Sequence, residues 1–81
     1  QGVFYRKFIA QAAMKKQIRG YIRNLRDGSV EVVAELIEED IDDFLALLRK
    51  GSPLSHVEKI SYEAIDEADL LYDGFEIRYE E

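Results

Sequence analysis

The chain has 81 residues and a formal net charge of −6, and 47% of its residues are hydrophobic while 35% are charged. This length allows one domain with a small core, so we treat residues 1–81 as a single domain. No apolar run approaches the roughly 18 residues that a membrane-spanning helix requires. The chain has no cysteine, which excludes a disulfide framework, a zinc knuckle and a thiol nucleophile and fits the cytoplasmic location that we expect.

The charge is distributed unevenly along the chain. Residues 1–26 hold seven of the eleven basic residues and no acidic residue, so this segment carries +7 and the remainder −13. A basic segment of this kind indicates contact with an anion, whereas the overall acidity argues against a long nucleic-acid backbone as that anion. The alternative is that solvated charges cluster here by chance.

The first three predicted elements lie before residue 37. Apolar residues at every third or fourth position from Tyr5 to Lys16 predict a helix. The strict alternation of IRGYIRNL, residues 18–25, predicts a strand. Asp27 and Gly28 then predict a two-residue type I′ turn, in which both residues have a positive φ, into an antiparallel strand with the sequence SVEVVAEL.

A second helix and two further strands follow. An apolar stripe from Ile37 to Leu48 predicts the helix, which Gly51 caps and Pro53 stops. The segments SHVEKISYEAI, residues 55–65, and FEIRYE, residues 75–80, predict strands, the first with a suspected bulge. Two amphipathic helices cover one face of a small sheet, so we expect an α/β (α+β) two-layer sandwich. With one strand in front, the order becomes the split βαβ pattern of ferredoxin-like folds on an antiparallel sheet.

The opening residues, QGVFYR, indicate an anion site. Backbone amides at a helix N-terminus are unpaired and, together with the helix dipole, attract anions, and Gly2 lets the backbone approach the ligand closely. Arg6 adds a planar guanidinium that matches two phosphate oxygens at once. The alternative is an ordinary loop glycine followed by a surface arginine.

Asn24 is the second candidate residue. A helix of about twelve residues and a strand of about seven have comparable lengths, so the end of the strand returns to the loop that precedes Arg6. A carboxamide there accepts a hydrogen bond from a water molecule and orients it without acting as an acid or a base. The alternative role is a local turn in which Asn24 caps the hairpin.

Two motifs in the sequence resemble those of the acylphosphatase family. The loop QGVFYR is similar to V-Q-G-V-x-[FY]-R, and GYIRNLRDGSVEVVAE is similar to G-[WY]-[VI]-[KR]-N-x-x-D-G-x-V-E-V. The arginine and the asparagine are eighteen residues apart, as in the family. The stretches RKGSPLSHVEKI and FEIRY also match, so the resemblance covers nearly the whole chain.

The resemblance implies hydrolysis of the carboxyl–phosphate bond of acyl phosphates to a carboxylate and inorganic phosphate, with no metal and no other cofactor. It implies that Arg6 clamps the phosphate and that Asn24 holds the attacking water. The implied partner is a small-molecule acyl phosphate, with no nucleic acid and no membrane. The implied amide cradle consists of Gly2, Val3, Phe4 and Tyr5.

Two rival hypotheses remain. The first is a non-catalytic acylphosphatase-like domain that binds phosphate or regulates a larger enzyme. The second is an RNA-binding sheet that uses the basic segment and the tyrosines. A metal site is not expected, because His56 is the sole histidine and the acidic run at residues 38–43 lacks the spacing of a calcium loop.

The sequence departs from the family pattern at two points that matter here. The family has a central strand before the loop, and no residue precedes Gln1, so we expect the first strand to be absent from this chain. It would then be lost by truncation, removed deliberately or supplied by another molecule; a monomer is the expected state and a strand-swapped dimer the alternative. Gln17 stands where many members have a helix-ending glycine. If φ is positive there, a residue other than glycine costs about 1 kcal/mol of stability.

Overall fold

The computed structural model describes residues 3–51, 59–63 and 72–79. Within these segments the chain forms two helices and three strands, with a short 3-10 turn before the second helix. In chain order they are α1 (Val3–Lys15), β1 (Arg19–Asn24), β2 (Val30–Glu35), the 3-10 turn (Glu38–Asp40), α2 (Ile41–Lys50) and β3 (Phe75–Arg78). None of the helices in the described part of the chain has the length and apolarity needed to cross a membrane.

The three strands form a mixed sheet in the order β2-β1-β3. Arg23 of the central strand lies opposite Glu31 in the antiparallel pair with β2 and opposite Arg78 in the parallel pair with β3. The expected α+β sandwich of ferredoxin-like type is confirmed. The purely antiparallel sheet that we expected is corrected to a mixed one, because β3 runs beside β1 in the same direction.

The core lies between α1 and the sheet. Ile9 of α1 and Ile22 of β1 are fully buried, and α2 adds Phe44 and Leu48. The hydroxyl of Tyr5 donates a hydrogen bond to the backbone carbonyl of Leu48 at 2.7 Å, and burial raises the pKa of this hydroxyl above its ordinary value. This contact joins the first turn of α1 to the last turn of α2.

The end of α1 confirms the expectation for Gln17, whose φ is +60°. The amide of Gln17 donates to the carbonyl of Met14 at 3.0 Å, and that of Ile18 donates to the carbonyl of Ala13 at 2.9 Å. This is the hydrogen-bond pattern of a Schellman motif, in which the residue at the position of Gln17 is usually glycine. Gln17 therefore holds a left-handed conformation at an energetic cost.

The hairpin between β1 and β2 differs from the predicted type I′ turn. Gly28 has a φ of +91°, but Asp27 is not among the residues with a positive φ. The amide of Gly28 donates to the carbonyl of Leu25 at 3.1 Å, and the amide of Leu25 donates to the carbonyl of Ser29 at 2.8 Å. The connection is thus a three-residue loop that ends in a left-handed glycine. The Asp27 carboxylate favours this loop by accepting hydrogen bonds from Ser29 N and Oγ at 2.9 and 2.6 Å.

Two other predicted elements differ from what we expected. Helix α2 begins at Ile41, and Ile37 is 62% exposed because it precedes the 3-10 turn and does not join the apolar stripe. Of the strand predicted at residues 55–65, the structure describes residues 59–63, which are not in a strand although Ile60 packs against the core. The remainder of that segment, including His56, lies outside the described residues.

Gly20 of the central strand lies directly against the backbone of β2. Its φ is +147°, and a Cβ atom at this position would clash with the carbonyl oxygen of Val33. Its amide donates to the carbonyl of Gly74 at 2.9 Å, just before β3. A side chain here would separate β1 from β2, and the end of β1 would shift with it.

Candidate active site

The N-terminus of α1 presents backbone amides that have no acceptor within the helix. The helix begins at Val3, so the amides of Val3, Phe4 and Tyr5 lie in the first turn, where N–H groups have no acceptor within the helix. The first turn contains no acidic residue that would compete with an external anion for the helix dipole. Gly2, the remaining predicted member of this cradle, lies outside the described residues.

Arg6 is buried although it carries a charge. It is 8% exposed, so it is not the surface arginine of the alternative interpretation. Its Nη1 donates to the backbone carbonyl of Arg78 at 3.4 Å, and its Cζ lies 5.0 Å from the centre of the Tyr79 ring. Within residues 3–51, 59–63 and 72–79, no carboxylate forms a salt bridge with this guanidinium. Burying such a charge without an anionic partner is costly, so this environment favours an anionic ligand.

Asn24 is the last residue of β1, and its Oδ1 is buried without a hydrogen-bond donor among the residues that the structure describes. Its side chain therefore does not cap the hairpin through that oxygen. Asp27 supplies the local hydrogen bonds of the turn instead. The carboxamide oxygen is thus available to accept a hydrogen bond from a small ligand or from water.

The structure brings Arg6 and Asn24 to the same end of the sheet. Arg6 contacts the carbonyl of Arg78 and the ring of Tyr79. Asn24 follows Arg23, which lies opposite Arg78 on the neighbouring strand, and neighbouring strands are about 4.8 Å apart. Both residues therefore flank the last residues of β3.

These two residues also share an unusual property. Among the described residues, the buried side-chain polar atoms without a hydrogen-bond partner are Arg6 Nε, a donor, and Asn24 Oδ1, an acceptor. Buried polar atoms are almost always paired, so each unpaired one calls for an explanation. An oxyanion that accepts from the arginine, with a water that donates to the asparagine, satisfies both atoms.

The opposite face of the sheet holds the Glu31 carboxylate away from these atoms. Arg23 Nε donates to Glu31 at 2.7 Å, and the hydroxyl of Tyr21 donates to the same carboxylate oxygen at 3.0 Å. The hydrogen bond from Arg23 is the main cause that lowers the pKa of Glu31 below its ordinary value, and that from Tyr21 adds to it. Since successive residues of a strand point to opposite faces, the Arg23–Glu31 pair lies on the face opposite the Asn24 side chain.

The comparisons with known proteins agree with one another. The family model described as Acylphosphatase matches residues 1–77. The acylphosphatase of Bacillus licheniformis is 40% identical over 79 residues, which are 98% of this chain and 87% of that relative. The chain belongs to the acylphosphatase family. It is therefore counted among the enzymes of this family, which are hydrolases.

Solved structures with the acylphosphatase fold extend this result. The acylphosphatase from Coxiella burnetii superimposes with a TM-score of 0.82 at 33% identity and covers 96% of this chain and 80% of its own. HypF from T. kodakarensis superimposes with a TM-score of 0.79 at 32% identity and covers 100% of this chain but only 11% of its own. The acylphosphatase fold thus occurs alone and as a small part of a much longer protein.

Sequence reasoning about this family member did not find the contribution of β3 to the site. The alternation of FEIRYE places Tyr79 on the same face as Phe75 and Ile77, a pattern that is typical of residues that pack in a core. Instead, Tyr79 follows the end of β3, is 72% exposed and contacts Arg6. The parallel register that puts it there has no signal in the local sequence.

Proposed function

We propose that this chain hydrolyses the carboxyl–phosphate bond of acyl phosphates, giving a carboxylate and inorganic phosphate, without a metal ion. The observation that carries the proposal is a pair of buried atoms, Arg6 Nε and Asn24 Oδ1, that have no hydrogen-bond partner among the described residues. They lie at the same end of the sheet as the N-terminal turn of α1. Family membership supports the same substrate class.

In the proposed reaction, Arg6 and the amides of the first turn bind the phosphoryl oxygens. Asn24 Oδ1 accepts a hydrogen bond from a water molecule and so directs that water toward phosphorus. The water oxygen bonds to phosphorus, the bond between phosphorus and the acyl oxygen breaks, and the carboxylate leaves with the electron pair. The protons of the water pass to phosphate oxygens and to solvent. The proposed cradle comprises Gly2, Val3, Phe4 and Tyr5.

The leaving group explains why positioning suffices. A carboxylate is a weak base and departs without protonation, so the reaction needs no strong general acid. Phosphoryl transfer depends mainly on alignment and on stabilising negative charge at the equatorial oxygens. A fixed guanidinium and a turn of helix amides provide both, which is the chemical basis for proposing a reaction independent of a metal.

We predict that Arg6→Ala loses about 3 kcal/mol or more of transition-state stabilisation, because it removes one charged oxyanion contact. Turnover of acetyl phosphate should then fall at least about 100-fold. Arg6→Lys should fail almost as badly, since a point charge does not reproduce two parallel N–H donors. Arg49→Ala, which removes an exposed arginine from α2, is the matched control and should retain activity.

Turnover measured with and without EDTA tests the metal-independent part of the proposal. Equal rates are expected after removal of divalent ions. Near-normal turnover by Arg6→Ala would refute the assigned role of Arg6. A rate that collapses in EDTA and recovers with added metal would refute metal independence.

The second candidate function is phosphate binding without catalysis, as a regulatory or accessory domain. The match to a small part of HypF favours it, since the same fold there belongs to a longer protein. Acetyl phosphate turnover measured beside a titration with inorganic phosphate separates the two functions. A chain that binds phosphate and releases no acetate is the accessory domain.

The face of the sheet opposite α1 favours a small-molecule partner over RNA. The guanidinium of Arg78 lies 3.8 Å from the centre of the Tyr21 ring, and Tyr72 contacts Tyr21 edge to face at 5.9 Å. The Tyr21 hydroxyl is bonded to Glu31. These rings already contact one another and lie beside acidic groups, so they provide a poor surface for stacking bases. Salt-dependent binding of single-stranded RNA would contradict this assignment.

A further inference from the structure

Tyr79 is an exposed aromatic residue in contact with a buried cation. Its ring centre lies 5.0 Å from Arg6 Cζ, within the distance of about 6 Å over which an aromatic face attracts a guanidinium. Tyr79 is 72% exposed and Arg6 is 8% exposed. The ring therefore shields part of the guanidinium from solvent.

A second contact from the neighbouring residue holds the same guanidinium from another side. Arg6 Nη1 donates to the backbone carbonyl of Arg78 at 3.4 Å. The carbonyl directs one N–H group, while the ring of Tyr79 interacts with the cation as a whole. Two contacts of different kinds restrict both the position and the tilt of the arginine fork.

The end of β3 is itself anchored from the opposite face of the sheet. The guanidinium of Arg78 lies over the ring of Tyr21 at 3.8 Å and forms a salt bridge with Glu76 at 3.2 Å. The parallel register places Arg78 beside Arg23 of β1. The residue that supplies the carbonyl and precedes Tyr79 therefore has a fixed position relative to Asn24.

The contacts leave the ligand-binding capacity of Arg6 intact. Neither of them uses Nε, which is buried and has no acceptor among the described residues. An aromatic face also adds no formal negative charge that would compete with phosphate for the guanidinium, as a carboxylate does. The arrangement holds the cation without neutralising it.

We propose that Tyr79 is a positioning residue for Arg6. Its ring holds the guanidinium in the orientation in which the fork binds the phosphoryl group. This inference rests on the proposed role of Arg6 as the phosphate clamp, and it adds a residue that lies 73 positions further along the chain.

The test uses Tyr79→Leu, which removes the aromatic face, and Tyr79→Phe, which keeps it. Tyr62→Leu is the matched control, because Tyr62 is also an exposed tyrosine, at 64%. The dissociation constant of inorganic phosphate and kcat/KM for acetyl phosphate are measured for each full-length variant, with the urea midpoint as a check on folding.

For Tyr79→Leu we expect phosphate affinity and kcat/KM to fall by about 3- to 10-fold, the range of a partly buried cation–aromatic contact. Tyr79→Phe should stay within about 2-fold of the wild type for the same reason. Tyr62→Leu should match the wild type, and the urea midpoints of all variants should agree. Rescue by phenylalanine identifies the aromatic ring and not the hydroxyl as the active feature.

Side-chain NMR of Arg6 gives a readout that does not depend on phosphate. The Nε–Hε group should be ordered and shifted by the ring current in the wild type and in Tyr79→Phe. Both properties should be lost in Tyr79→Leu. An unchanged Arg6 resonance and an unchanged phosphate affinity in Tyr79→Leu would overturn the positioning role.

The outcomes separate this inference from the proposed function. A wild-type chain that binds phosphate without turnover refutes catalysis, while the phosphate and NMR comparisons still decide the role of Tyr79. Turnover that requires Arg6 but is indifferent to Tyr79→Leu supports the proposed function and refutes the positioning role. If phosphate does not bind to the wild type, both proposals fail.

Discussion

Asn24 is the residue whose surroundings distinguish most sharply between a structural and a chemical role. Within the described part of the chain its Oδ1 is buried and unpaired, while the turn that it could have capped is stabilised by Asp27. A side chain with only a local structural role would normally use its buried acceptor. This contrast is why we assign the oxygen to a water in the reaction.

Asn24→Ala should therefore reduce kcat strongly while phosphate still binds with an affinity within about 3-fold of the wild type. The proposed role concerns the attacking water and not the phosphoryl group, so rate and binding separate. Gln11→Ala, which removes an exposed carboxamide from α1, is the control. Steady-state kinetics with phosphate as a competitive inhibitor gives both quantities, and loss of phosphate binding in Asn24→Ala would show that its role is misassigned.

The sequence was sufficient to predict that Arg6 and Asn24 lie at the same end of the sheet, because helix and strand lengths and a recognisable motif both relate them. It was insufficient for Tyr79 and the Arg78 carbonyl. Those contacts depend on which strand β3 joins and in which register, and pairing between distant segments leaves no periodic trace in either one.

At the level of elements, the C-terminus of α1 gives the clearest energetic prediction. Gln17 holds a φ of +60° in a turn whose hydrogen bonds are those of a glycine-ended helix. Gln17→Gly removes the strain of the side chain, which is about 1–2 kcal/mol. The substitution also adds conformational freedom to the unfolded chain, which offsets about 0.5–1 kcal/mol of that stabilisation.

The expected net effect of Gln17→Gly is a stabilisation of about 0.5–1 kcal/mol, which for a chain of this size raises the Tm by about 2–8 °C. Thermal unfolding followed by circular dichroism measures it. Gln11→Gly, in the interior of the same helix, is the opposite control and should destabilise by about 1 kcal/mol. A lower Tm for Gln17→Gly would contradict the inference that Gln17 is strained in the folded state.

Local periodicity predicted α1, β1, β2 and β3 well, because the apolar residues of each element share the face that packs against the core. The prediction of a two-residue turn in the hairpin was wrong for an identifiable reason. Asp27-Gly28 signals a two-residue turn when backbone preferences alone decide, but the Asp27 carboxylate bonds Ser29 and stabilises a loop one residue longer. Side-chain chemistry outweighed the dipeptide preference.

At the level of the whole molecule, the Arg23–Glu31 contact makes the free energy of unfolding vary with pH in the acid range. The hydrogen bond from Arg23 lowers the pKa of Glu31 below its ordinary 4.5. A carboxyl group with a lowered pKa in the folded state contributes stability above the unfolded-state pKa and loses it as the pH falls through the folded-state value. Both side chains are partly exposed, at 28% and 36%, so solvent reduces the contribution.

Glu31→Gln should accordingly lower the unfolding free energy at pH 7 by about 0.5–1 kcal/mol. The difference from the wild type should shrink as the pH is lowered below 4.5. Urea denaturation between pH 7 and pH 3 measures this, with Glu39→Gln, an exposed acid before α2, as the control. A difference that is constant across this range would exclude an electrostatic origin.

The hydrogen bond from Arg6 to the carbonyl of Arg78 joins residues 72 positions apart, and this separation has a consequence for biosynthesis. The guanidinium leaves the ribosome early, whereas the strand that fixes its orientation is translated many residues later. Contacts between distant segments also form slowly during folding. A nascent or proteolytically shortened chain that ends before β3 lacks the carbonyl that contacts Arg6, so its arginine is not yet oriented and enzymatic activity would report that translation has passed β3.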